Sequence, residues 1–410
     1  MNLFIIPSWY PHRCLPWEGV FLQEQARAIA ERRPGWNVGL SLWGQGEGFL
    51  SSAHLVKSPR CLLDAQAMKR EERVLLPNLV EFVTPALWWP ERTFGGNKPA
   101  LLAANRESLR RAVARFGSVD LIHAHVSYPA GWLAMKLADE TGIPYVITEH
   151  MGPFPLPVYA RRDGRLKGVL REPLERAGAR IAVSPMLART IAGFGIEEPE
   201  FIPNLVDERL YGPGPPADPE RFTFFTLCVM DAGKGVSDLL KGAARFLSGL
   251  RPADRALVSF RLGGDGPQWK ALRREATRLG LDGNVTWLGQ VPHERAREEF
   301  SRCDAFALTS WHESFGIVYV EATASGKPVI ATRCGGPEVI VTPENGVLVE
   351  VADIEGIAGA LDFMLRNARG YDAAKIRARC LERYGREAVV VRLEQVYQRV
   401  IQQRQSTATS

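Results

Sequence analysis

Four prolines fall within the nine residues Tyr211-Gly-Pro-Gly-Pro-Pro-Ala-Asp-Pro219. Proline lacks an amide donor and fixes φ, so neither a helix nor a central strand can run through this stretch. It reads as a linker, and the same pattern lies on both sides of it. Ahead of it, apolar runs at Leu3–Pro7, Val38–Trp43, Leu79–Thr84, Leu121–Ala124, Tyr145–Thr148 and Arg180–Ser184 alternate with helical patterns at Val20–Arg33, Leu101–Phe116, Ala130–Thr141 and Pro185–Phe194. Behind it, strand patterns at Phe222–Val229, Val258–Leu262 and Asn284–Leu288 alternate with helical ones at Ser237–Leu250, Pro267–Leu279 and Pro292–Arg302. Such alternation predicts parallel βαβ units. An α/β protein follows, with two Rossmann-like domains facing each other over a cleft, at 1–207 and 220–385. Arg386–Gln403 adds an amphipathic helix with Val390, Leu393, Val396, Tyr397 and Val400 at helical spacing. At 410 residues the chain exceeds one ordinary core, in keeping with two domains.

Composition narrows the function classes. Net charge is only +5, with no long basic run and no interleaving of basic and aromatic residues, so no nucleic-acid partner is expected. No run of 18 apolar residues exists, so no membrane span is expected. Met1–Pro7 is too short and lacks the basic flank of a signal peptide. The six cysteines (14, 61, 228, 303, 334, 380) are scattered and read as reduced thiols of a cytoplasmic protein.

The chemistry concentrates in Glu313-Ser-Phe-Gly-Ile-Val-Tyr-Val-Glu321. Asp304–Thr309 reads as a buried strand, and Gly316 to Gly326 as a helix stopped by Gly326-Lys327-Pro328. Glu313 then lies at a strand's carboxyl end, the edge where open α/β sheets bind ligands. The helix N-terminus after it suits an anion such as a diphosphate. Glu321, inside the helix, can accept hydrogen bonds from a vicinal diol, each contributing roughly 1.5–3 kcal/mol.

This segment, continued by Ala-Thr-Ala-Ser-Gly-Lys-Pro-Val-Ile-Ala and Gly335-Gly336-Pro337-Glu338, resembles the E-x7-E signature of retaining glycosyltransferases, particularly family 4 of the GT-B fold. The resemblance is strong from Leu262 to Val349, moderate from Asp120 to Pro155 and at the N-terminus, and weak from Gly44 to Lys98. It implies that Glu321 holds the nucleotide ribose and that Glu313 sits beside the donor sugar, with Phe315, Gly316 and Ile317 on the nucleotide-sugar side. It implies that Lys234, in Val229-Met-Asp-Ala-Gly-Lys-Gly235, is a diphosphate ligand. The family usually carries an arginine a few residues earlier, and here none lies between Phe222 and Lys234. Gly264 and Gly266 would line the nucleotide pocket, and Leu288 would supply backbone groups to the base. In the first half, His125 of His123-Ala-His125 would lie by the donor sugar or acceptor, and His150 of Thr148-Glu-His150 on the acceptor side. Gly19 would begin the first helix near the diphosphate. Trp9 and Tyr10 would lie on the acceptor side, and they and Trp17 either stack on a sugar or cap the core. The family's last helix crosses back to the first domain, which is the expectation for 386–410.

Three histidines at adjacent strand ends could hold a metal, but no fourth residue has ligand spacing. No Asp-x-Asp occurs anywhere, so no metal is expected and a UDP- or GDP-sugar is the implied donor. Same-face substitution within an ion pair is favoured because no residue is an evident far-face nucleophile. Arg106, Arg110 and Arg111, and the cluster Arg161, Arg162, Arg165, Lys167 and Arg171, lie in the more basic half. The second cluster suits an anionic membrane surface, hence a glycan or lipid-linked glycan acceptor and peripheral contact with the inner face of the membrane. A same-fold epimerase or phosphorylase, and a non-catalytic nucleotide-sugar-binding protein, are the alternatives.

Overall fold

The computed structural model describes residues 1–12, 16–45, 69–87, 89, 97–214, 218 and 220–409. Most of the Pro-rich run Pro215–Pro219, together with Cys14, Cys61 and Trp88, lies outside them. The chain divides into two compact units. Unit one is Met1–Val183, Leu187–Leu205 and Val389–Ser410, and unit two is Ser184–Met186 and Val206–Ala388.

Unit one is built on an eight-stranded sheet in the order β3-β4-β2-β1-β5-β6-β7-β8. Its strands are β1 (Asn2–Pro7), β2 (Asn37–Leu42), β3 (Glu71–Leu76), β4 (Leu79–Val83), β5 (Leu121–His125), β6 (Tyr145–Glu149), β7 (Ala179–Ala182) and β8 (Glu200–Phe201). All pairs are parallel except the β3–β4 hairpin. The central strands are buried on both faces, which is why they read as continuous apolar runs rather than alternating ones. β3 is the exception. Its Glu71, Glu72 and Arg73 are exposed on the sheet edge, where charge blocks further pairing.

Helices α1 (Val20–Arg32), α2 (Lys98–Phe116), α3 (Trp132–Thr141) and α4 (Gly168–Arg176) connect these strands. The C-terminal helix Arg386–Thr409 returns to this unit from Val389 onward. Its Val389, Val390, Leu393, Val396, Tyr397 and Val400 enter one core with Leu3, Ile5, Val38, Leu40 and Leu121. Burying a side chain of this kind is worth roughly 1.5–3 kcal/mol, so the helix is integral to the unit.

Unit two is a six-stranded, wholly parallel sheet in the order β11-β10-β9-β12-β13-β14. The strands are β9 (Phe222–Leu227), β10 (Val258–Gly263), β11 (Val285–Gly289), β12 (Ala305–Ala307), β13 (Val329–Thr332) and β14 (Gly346–Val349). They are covered by α5 (Val236–Ser248), α6 (Trp269–Arg278), α7 (His293–Arg302), α8 (Ile317–Ala324), α9 (Ile354–Asn367) and α10 (Ala373–Tyr384). The last two begin at Asp353 and Asp372, whose side chains accept from the amides of Gly356 and Lys375, an ordinary N-cap.

Among the parallel strands of each unit the order reverses once. In unit two this happens between β9 and β12, and in unit one between β1 and β5. Open α/β sheets bind ligands outside the carboxyl ends of the strands at such a switch point, because the two flanking loops diverge there.

Candidate functional site

Lys234 follows β9 and Glu313 follows β12, so both stand at the switch point of unit two. Their loops are bound to each other. The Trp311 amide donates to the Gly233 carbonyl at 2.8 Å, and the Thr309 hydroxyl to the Gly235 carbonyl at 2.8 Å. Gly235 has φ +62°, and a Cβ there would lie 1.9 Å from the Thr309 carbonyl oxygen, so glycine is required. This fixes Lys234 so that its Nζ donates to Glu313 Oε1 at 2.8 Å, and the Ser310 hydroxyl donates to the same oxygen at 2.9 Å. Burial lowers the affinity of Lys234 for its proton, but the Glu313 carboxylate more than offsets this, and the ammonium is held above its ordinary range.

Glu313 is held from the other side as well. The Gly336 amide donates to its carbonyl at 2.8 Å, which joins the loop after β12 to the one after β13. Phe315 is buried against the Tyr384 ring, so only its backbone faces the loop junction. Gly316, at φ 90°, is the N-cap of α8, and the Tyr319 hydroxyl ties that helix to the Leu308 carbonyl at 2.9 Å. Ile317 opens the helix half-buried. Glu321 lies further along it, 8% exposed, and accepts from the Tyr211 hydroxyl at 2.6 Å. Tyr211 reads in the sequence only as the first residue of the linker. No periodicity marks it as the support of Glu321.

Gly264 and Gly266 form the turn after β10. A Cβ on Gly264 would meet the Cys228 carbonyl oxygen at 1.8 Å, so this turn lies directly on the backbone of the Lys234 loop. Leu288 is half-buried near the end of β11, and the Gly264 amide donates to the neighbouring Gly289 carbonyl at 2.7 Å. The structure therefore brings Lys234, Glu313, Phe315, Gly316, Gly264 and Gly266 onto one connected set of loops, with Glu321 one element behind.

Unit one gathers its histidines at its own switch point. His125 ends β5 and His150 follows β6, and His125 Nδ1 and His150 Nε2 share a hydrogen bond of 3.0 Å. The rings of His123 and His125 lie 4.1 Å apart. His123 Nε2 pairs with the Thr148 hydroxyl and its Nδ1 with the Tyr397 hydroxyl, each at 2.7 Å. His123 is thereby a core residue. His125 Nε2 and His150 Nδ1 are buried without a hydrogen-bond partner among the described residues. The residue after His125, Val126, has φ 78°, which is strained for a β-branched side chain. Its amide donates to the Thr148 carbonyl at 2.8 Å, and its carbonyl accepts from Gly131 at 2.9 Å.

Behind this pair is a carboxylate that the sequence does not single out. Glu149 is fully buried and accepts from the amides of Ser127 (2.9 Å), His150 (2.9 Å) and Met151 (2.8 Å), and from the Ser127 hydroxyl. Burial raises its proton affinity above the ordinary carboxylate range, and these four donors pull against that. It organises the turn that presents His150.

Of the N-terminal aromatics, Tyr10 is 5% exposed in the core with its hydroxyl donating to Glu81 Oε1 at 2.5 Å. This is the core-capping arrangement rather than the stacking one. Trp9 is half-buried and Trp17 exposed. Gly19, at φ 68°, packs on the Trp9 backbone, where a Cβ would come within 2.7 Å. Arg106 and Arg110 are exposed and paired with Glu140 and Glu107, an ordinary solvated face, while Arg111 is mostly buried over the Phe82 ring and pairs with Glu72. In the second cluster Arg161 and Arg171 pair with Asp163 and Glu175, while Arg162, Arg165 and Lys167 have no carboxylate partner among the described residues. Also among the described residues, no three His, Cys, Asp or Glu side chains are placed to share a metal ion.

The histidines give unit one an expected pH response. Burial, with His150 adding to it for His123, pushes His123 and His150 down to about 3, and burial drives His125 well below its usual 6.5. The unfolded chain takes up protons near pH 6.5 that these rings refuse. Stability is thus complete above that value and falls as pH drops toward 3, by up to about 1.4 kcal/mol per pH unit for each ring. Melting followed at about pH 7.5 and about pH 5 checks this, and equal midpoints would contradict neutral burial.

Known proteins match the two halves separately. Residues 214–385 match the family model "Glycosyl transferases group 1", and residues 66–210 match "Glycosyltransferase Family 4". A D-inositol 3-phosphate glycosyltransferase of Segniliparus rotundus is 31% identical over 256 residues, covering 56% of this chain and 55% of that relative. The chain thus matches about half the length of that relative. Among solved structures, sucrose-phosphate synthase from Thermosynechococcus elongatus superposes with a TM-score of 0.73 at 21% identity, with full coverage of both chains. Anabaena HepE in complex with UDP superposes with a TM-score of 0.67 at 21% identity, over 96% of this chain and 98% of that one. Each half of the chain thus resembles a glycosyltransferase family model over its own segment, on a two-domain GT-B fold shared with these solved structures.

Proposed function

We propose that the chain transfers a hexose, with retention, from a nucleoside diphosphate sugar to a glycan or lipid-linked glycan acceptor. The observation that carries this is the Lys234–Glu313 pair at the switch point of unit two, held at 2.8 Å beside the α8 N-terminus with Glu321 buried behind it. Such a site offers a cation and helix amides to a diphosphate, and a carboxylate to a ribose diol. Glu321 takes the ribose and Glu313 the sugar. The diphosphate competes with Glu313 for Lys234 Nζ, which leaves Glu313 to the sugar as the leaving group takes up charge. His125 and His150, neutral and with unpartnered ring nitrogens, serve the sugar and acceptor side. The UDP complex of HepE supports uridine as the base.

The test is melting of the full chain with UDP or GDP. A ligand at 100 times its Kd stabilises by about 2.7 kcal/mol. UDP is expected to raise the midpoint, and Glu321→Ala to remove most of that rise while Glu313→Ala keeps it. No response to either nucleotide would end this reading, and an unchanged response in Glu321→Ala would end the ribose role. Consumption of donor without an acceptor would favour the epimerase alternative.

The segment after His150 supports a membrane-linked acceptor. Exposed Leu156 and Val158 lie near the unpaired Arg162, Arg165 and Lys167. Each cation near an anionic surface contributes about 1 kcal/mol. Flotation with phosphatidylglycerol vesicles should occur at low salt and be lost at high salt. Absence of flotation at low salt would leave a water-soluble acceptor.

A further inference from the structure

Helix α6, the turn after it and β11 form an open groove of about 1130 Å³. β11 is the last strand of its sheet, paired only with β10. The apolar side of α6, Leu272 and Ala276, is buried in the unit's core, so the groove is lined by the helix's other side. There Lys270, Arg274 and Arg278 recur every fourth residue, with Arg273 beside them. At 1.5 Å per residue the charges repeat about every 6 Å. None of the four has a carboxylate partner among the described residues, whereas Arg245, Arg261 and Arg366 of the same unit are each paired. The groove's own carboxylate, Asp282, accepts from the Thr277 hydroxyl at 2.8 Å. Like charges four apart on a helix destabilise it by a few tenths of a kcal/mol. Ion pairing within the fold therefore does not account for this row.

Two indoles complete the groove. Trp269 and Trp287 meet edge to face at 6.3 Å, and the Arg273 guanidinium lies 4.6 Å from the Trp269 ring centroid. Cations at a regular spacing along an open groove match a chain with charges at regular intervals better than a bilayer surface, whose charges have no fixed spacing. Arginine forks bind carboxylate or phosphate in pairs of hydrogen bonds, and half-buried indoles offer apolar surface to sugar rings.

We propose that this groove binds an anionic glycan, a chain bearing uronate or phosphate groups, at a site separate from the donor loops. The choice of sugar over other linear polyanions rests on the transferase reading above. On that reading the groove holds a distal part of the acceptor or of the growing product.

The experiment is calorimetry on the full chain with a galacturonate octasaccharide, maltooctaose, an octathymidylate and phosphatidylglycerol vesicles, at low and high salt. The galacturonate is expected to bind at low salt and the neutral maltooctaose not. Lys270→Glu with Arg274→Glu should weaken binding at least about tenfold, since two charge-assisted contacts are reversed. Trp287→Leu should weaken it independently of salt. UDP-induced stabilisation should be unchanged in all variants. The proposal is overturned by no galacturonate binding at low salt, by binding that the double variant leaves intact, or by tighter binding of the octathymidylate or the vesicles. Galacturonate binding in a chain that UDP does not stabilise would sustain the groove and overturn the transferase reading alone.

Discussion

Lys234→Ala is expected to lower turnover about 10²–10³-fold while the chain stays folded. That is the usual loss when one preorganised donor to a developing charge is removed. The loop keeps its shape without the side chain, because the Trp311–Gly233 and Thr309–Gly235 hydrogen bonds do not involve it. Glu313 retains its bond from Ser310. The loss should therefore appear in kcat with radiolabelled donor and not in the melting midpoint. No arginine stands ahead of Lys234 on this loop to take over. The parent chain should also transfer sugar in excess EDTA. A mild effect of Lys234→Ala, joined to complete loss in EDTA, would move the phosphate charge from lysine to a metal.

Glu149→Ala should give the largest loss of stability, about 3–5 kcal/mol in urea denaturation. The substitution strands three buried amides and a hydroxyl, each costing about 1–3 kcal/mol unpaired, and part is offset because no carboxylate has to be buried. Glu149→Gln should fall between, since an amide offers one acceptor oxygen where the carboxylate offers two. A loss below about 1 kcal/mol for the alanine variant would mean the turn finds other partners. His150 moves with that turn, so activity should fall in both variants.

Much of this architecture is legible in the chain. Buried parallel strands have to be apolar throughout, and the runs at Leu3, Val38, Leu121 and Val329 announce themselves for that reason. The glycines of the Lys234 and Gly264 turns are readable because only glycine fits where a backbone comes that close. β3 is not legible, because Glu71-Glu-Arg73 is an edge built of charge. β8, two residues long, carries no pattern. Helices α9 and α10 carry readable N-caps in Asp353 and Asp372, though no chemical motif marks the stretch they lie in. The supports of the site are the least legible part. Tyr211 reaches Glu321 across 110 positions, and Tyr397 reaches His123 across 274. No local pattern encodes such a meeting, since it depends on the finished fold.

The Tyr397 contact has a consequence for the order of synthesis. The helix that carries it follows unit two in the chain, so all of Val206–Ala388 leaves the ribosome first. Domains generally fold as they emerge. Unit two is contiguous over that span and can close at once, while unit one waits with the apolar bed of Leu3, Ile5, Val38 and Leu121 uncovered. Its histidine stack is completed only when the last helix docks, so the half of the protein made first is the half finished last.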